Sequence, residues 1–157
     1  MNIAVDLLHI LAAVLWIGGL LYHNVFLPLS LKGIDPIQQL HLKLSLAKKI
    51  SALSWVSVII LIITGSMKVQ HNALFDHATN YGLALTFKIA LVVNMVLIMV
   101  VISFIFGKKI KENMPKKGKE PSEDLLLIQR QLTASGLTNL ILGILVIGFV
   151  IVIRLVK

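Results

Sequence analysis

The stretch LLHILAAVLWIGGLLYH, residues 7–23, is apolar enough to cross a bilayer, yet it carries an imidazole near each end and an indole between them. A neutral imidazole is the commonest metal ligand among side chains, and in hydrocarbon it costs free energy unless something uses it. His9, Trp16 and His23 are seven residues apart, and seven positions at ~100° each return to within ~20° of one direction on a helix. The three therefore share one stripe. Ala12 and Ala13 flank the stripe, Gly19 lies near it, and Gly18 falls on the far side. Small residues at such places let a neighbouring helix or a flat ligand approach closely. His9 is thus a candidate ligand for a metal ion or a haem iron. The competing use of its ring is a hydrogen bond to a neighbouring helix.

Lys88, in YGLALTFKIALVV, lies seven residues past Tyr81, at a depth comparable to that of His9. A charged amine there costs about 3 kcal/mol if it reaches neither water nor a partner. Three uses stay open: its stem carries the charge to the interface beside Tyr81, a desolvated neutral amine ligates iron, or the ammonium pairs with an acidic cofactor group such as a haem propionate. Met95 and Met99 follow on nearly the same helical face. An i, i+4 thioether pair suits Cu(I), while methionines also fill gaps in packed cores. His23 and His41 lie toward the opposite end of the bundle from His9, as a second haem site or as interfacial histidines. His71 and His77 fall between the second and third apolar runs, either solvated or serving as an axial ligand or a metal-entry pair. Ser135, Asn139 and Gly143 repeat every four residues, a helix-packing rhythm.

The elements that must position these groups are four apolar runs, residues 3–22, 50–67, 82–106 and 134–153. Each approaches the ~20 residues that cross ~30 Å of hydrocarbon. In a chain of 157 residues, 57% hydrophobic, they leave no room for a separate soluble domain. The expectation is an all-α, integral membrane, up-down-up-down four-helix bundle, one domain over residues 1–157, with any cofactor between facing helices. The first run is not expected to be a cleaved signal, because MNIAVD lacks Lys and Arg and no small-residue cleavage pattern follows. The absence of Cys excludes disulfides, thiolate zinc or iron–sulfur sites and c-type haem attachment.

The net charge of +8 reports topology rather than a nucleic-acid partner. Connections 24–49 and 107–130 hold eleven basic residues, Lys32, Lys43, Lys48, Lys49, Lys108, Lys109, Lys111, Lys116, Lys117, Lys119 and Arg130. The other side holds three, Lys68, Arg154 and Lys157. Basic loops stay in the cytoplasm, so both termini are expected outside. Ser122 followed by Glu123 and Asp124 has the form of a helix N-cap with an acidic first turn, so the last span is expected to begin as a cytoplasmic helix.

In order along the chain, LHILAAVLWIGGLLYHNVFLP, AKKISALSWVSVIILIITG, YGLALTFKIALVVNMVLIM and LTNLILGILVIGF resemble the four spans of the copper-resistance D (CopD-like) family of bacterial inner-membrane proteins. The specific pieces are His9 with Trp16-Ile17-Gly18-Gly19, Thr64-Gly65, and Lys88 shortly after Tyr81-Gly82. The layout is also similar to the four-helix protoporphyrinogen oxidase of bacteria. That resemblance implies haem b held by a span 1 histidine and a span 3 lysine, which map onto His9 and Lys88. GGLLYHNVFLP and KKGKEP depart from the oxidase pattern.

Three readings follow. The first is a haem b membrane protein with an electron-transfer or oxidoreductase role, Trp16, Ala12 and Ala13 shaping the pocket wall and quinone or an external redox protein as partner. The second is copper transport or resistance, with His71 and His77 collecting the ion and His9, Met95 and Met99 relaying it. The third is a non-catalytic assembly subunit. The bilayer is the common partner, and a homo-oligomer is compatible with all three.

Overall fold

The computed structural model describes residues 3–68, 79–113 and 122–155. They form four long helices, and no strand occurs among them. Helix α1 comprises Ile3–Leu21, a π-helical stretch Tyr22–Phe26, and Leu27–Ser30. Helix α2 is Pro36–Lys68. Helix α3 comprises Asn80–Val100, a second π stretch Val101–Phe106, and Gly107–Glu112. Helix α4 is Glu123–Leu155. All four are long and apolar enough to cross a membrane.

Local chemistry sets the boundaries. Gly33, at φ +88°, takes the left-handed conformation that ends the first helix. The Asp35 carboxylate then accepts from Ile37 N at 3.0 Å and Gln38 N at 3.2 Å, so Asp35 is the N-cap and Pro36 the first helical residue, where a missing N–H costs nothing. Thr79 Oγ1 caps α3 by accepting from Gly82 N at 3.2 Å. Ser122 Oγ caps α4 by accepting from Leu125 N at 3.3 Å, with Glu123 and Asp124 in the first turn as expected.

The helices overrun the expected spans. Segment 24–49, read from sequence as a connection, is helical except for residues 31–35. The apolar runs marked only the stretch that hydrocarbon requires. Helical propagation continues past it wherever no breaker intervenes.

Apolar side chains cover the outside, with Leu7, Val14, Val56, Ile62, Leu97 and Ile144 all exposed. The inside holds a small cluster of Trp16, Val58, Met95 and Met99, onto which Trp55, Val92 and Leu142 pack. Such an inverted surface fits lipid rather than water as the surroundings. α1 packs chiefly on α2, and α3 on α4. Gly143 on α4 seals a close approach, since a Cβ there would meet Met95 Cε at 3.2 Å and Ile17 Cγ1 at 3.3 Å.

Candidate functional site

His9 is half-buried, and its Nδ1 lies 2.7 Å from Thr64 Oγ1 on α2. Thr64 is 5% exposed, and its hydroxyl donates to Ile60 O at 2.6 Å. A threonine has one hydroxyl proton. With that proton committed to Ile60, the bond to His9 runs from Nδ1–H of the ring to the threonine oxygen. The neutral ring therefore leaves its Nε2 lone pair free, the tautomer that a metal ligand needs. Gly65 borders the ring: a Cβ there would lie in ordinary contact with His9 Cε1, at 3.5 Å.

Around this imidazole stand three charged groups. Asp6 and Lys68 pair at 2.6 Å and tie the start of α1 to the end of α2. Lys88 on α3 is half-buried and lies within Coulombic range of both His9 and Lys68. Among the described residues it forms no ion pair. Sequence reasoning placed His9 and Lys88 at one depth, and the structure brings their charges within mutual range. It missed Thr64 as the group that orients the ring. The sequence offered only the short turn at Gly33–Pro36 that makes α1 and α2 neighbours; their register, in which a Cβ at Gly19 would lie 3.6 Å from Ile50 Cγ2, is set by the packing.

Deeper in the bundle, Met95 and Met99 are 1% and 5% exposed and pack with Trp16 and Val58. Both face the core, as their common helical face required. Among the described residues, no three His, Cys, Asp or Glu side chains gather into a metal site. His71 and His77 lie outside the described residues.

Beyond this cluster, toward the turn between α1 and α2, a cavity of about 780 Å³ opens between all four helices. Trp16, His23, His41 and Met99 line it. Of the residues expected around a haem between α1 and α3, Trp16 lines this cavity and His9, Lys88, Ala12 and Ala13 do not, while His23 and His41, expected as a second haem site, both line it. Ala12 is 2% exposed and serves helix packing. Asn139, read from sequence as part of a packing face, is 1% exposed and also lines the cavity.

Residues 44–153 match the family model for copper resistance protein D. The chain belongs to the CopD family. The match takes in Thr64 on α2 and Lys88, Met95 and Met99 on α3 of this CopD protein, and leaves His9 and Trp16 outside it. No curated protein and no solved structure matches the chain. Four membrane-length helices and this membership make it a multi-pass membrane protein.

Proposed function

We propose that this CopD protein handles copper as its cargo, passing Cu(I) inward from His9 to a thioether pair, Met95 and Met99. The observation that carries the reading is that both methionines are turned into the core, on the same side of α3, beneath an imidazole whose Nε2 is free. Soft thioethers select Cu(I), and imidazole accepts it as well. Lys88 and Lys68 place positive potential beside His9. Repulsion scales with the charge of the ion, so the entrance favours the monovalent over the divalent state.

The eleven basic residues of connections 24–49 and 107–130 orient the bundle with alternating spans, both termini outside, and those connections in the cytoplasm. The membrane is the bacterial inner membrane, as the family resemblance implies. His9 is then the outer station and the methionine pair the middle one. The copper reading is preferred to the haem reading because residues 44–153 match the copper-resistance family model and His9 packs against Gly65 and Thr64.

The test is Cu(I) uptake by proteoliposomes carrying the full chain, beside a Met95→Leu/Met99→Leu double variant. Leucine conserves volume and apolarity, so the variant keeps its fold and loses uptake at least tenfold. Equal uptake by the two proteins ends the proposal.

A further inference from the structure

The cavity toward the α1–α2 turn has a chemistry that copper does not explain. Among the described residues its lining includes Lys43 and Lys48 and no acidic side chain. Three of its lining side chains carry enclosed polar atoms with no hydrogen-bond partner: Trp16 Nε1, His23 Nδ1 and Asn139 Oδ1. Two of these side chains are almost wholly enclosed, Trp16 at 3% exposure and Asn139 at 1%. Buried polar groups are otherwise nearly always paired. The three atoms have almost no accessible surface, so they are packed behind the chamber wall rather than open to its interior.

The backbone is shaped for the same chamber. Both π-helical stretches contribute to its wall, Tyr22–Phe26 through His23 and Asn24, and Val101–Phe106 through Ile102 and Ser103. Such stretches are rare and frequently mark functional sites. Asn24 folds its amide back to Leu20 O at 2.8 Å and seats its oxygen against Gly136, where no Cβ fits. Polar and aliphatic residues alternate around the lining, most of its open surface is apolar, and the volume of about 780 Å³ falls inside the ~300–1,000 Å³ typical of small-molecule sites. Lys43 lies within Coulombic range of His23 and has no ion-pair partner among the described residues.

We infer that this cavity binds a single-chain anionic amphiphile, its acidic head between Lys43 and His23 and its apolar body running toward Trp16, Met99 and Asn139. A carboxylate and a phosphate monoester share the required head chemistry, so a free fatty acid and a lysophospholipid are the two sources. The chamber meets the proposed copper path only at Met99, which lines it from α3.

The experiment uses the full chain in nonionic detergent in a Trp55→Phe background, so that Trp16 is the sole tryptophan and is excited selectively over the two tyrosines. Dibromostearic acid, its methyl ester and a brominated lysophosphatidylglycerol are titrated separately, bromine quenching the indole on contact. Saturable quenching by the acid, or by the lysolipid, with at least tenfold weaker binding of the ester, is expected, and the tighter of the two acids names the source. Lys43→Gln weakens the binding at least tenfold. Asn139→Leu weakens binding while raising the melting temperature of the ligand-free protein, because it removes an unpaired buried amide. Equal, unsaturable quenching by acid and ester, which is partition into the micelle only, overturns the inference. So does wild-type affinity in both variants. Copper uptake enters none of these readouts, so the two proposals fail separately.

Discussion

The Nδ1 of His9 on α1 donates to Thr64 Oγ1 on α2 at 2.7 Å, across 55 positions of sequence. Because Thr64 spends its own proton on Ile60 O at 2.6 Å, this one contact fixes both the tautomer and the orientation of the ring. A group of this kind, holding a ligand from behind, is commonly worth 10–100-fold in metal affinity. Thr64→Val should lower copper affinity at the outer station within that range, while Thr64→Ser, which keeps the hydroxyl, restores most of it. Isothermal titration with Cu(I) on the purified protein measures both.

Met95 and Met99 separate packing from ligation. Met95→Ala opens a cavity next to Trp16 and Gly143 and should cost about 2–5 kcal/mol. Met95→Leu should cost less than about 1.5 kcal/mol. Both remove the thioether, so both should lower Cu(I) affinity to the same degree. Melting temperatures and copper titrations of the two variants, side by side, distinguish a ligand from a gap-filler.

Gly136 and Asn24 are a matched pair. A Cβ at Gly136 would collide with the Asn24 amide, so Gly136→Ala should destabilise the protein by about 1–3 kcal/mol. Shortening the partner should recover the loss, and Asn24→Ala in the same chain is the rescue. Thermal unfolding of the two single variants and the double variant gives the coupling directly.

The Asp6–Lys68 pair, at 2.6 Å with side-chain exposures of 21% and 36%, is a partly screened bridge at the end of a helix pair. Its coupling in a double-mutant cycle of Asp6→Asn and Lys68→Gln should be small and shrink in high salt. Stability is not its main consequence. Asp6→Asn removes the negative charge that, among the described residues, stands beside His9, and should weaken copper binding there more than it lowers the melting temperature.

Topology has a simple test, because the chain contains no cysteine. Single cysteines at Lys32 and Lys108, both exposed, should react with an impermeant maleimide only after the cytoplasmic face is opened. A cysteine at Met67, 66% exposed, should react from outside in intact cells. The opposite pattern would reverse the orientation read from the basic loops.

Much of this protein is written in local sequence. Apolar runs of membrane length specify four helices, since a backbone in hydrocarbon must satisfy its own hydrogen bonds. Asp35-Pro36, Thr79 and Ser122 mark where three of them begin, because capping involves only residues two or three apart. The seven-residue spacing of His9, Trp16 and His23 shows that they share a stripe, and the spacing of Met95 and Met99 shows that they share a face. Partners are another matter. Nothing local says that Thr64 meets His9, that Asn24 needs Gly136, or that Trp16, His23 and Asn139 leave polar atoms unpaired around one chamber. Periodicity tells which way a side chain turns about its own axis. Which atoms await it there depends on the height and rotation of helices far away in the chain, and on two π stretches that no pattern announced, so only the packed bundle decides it.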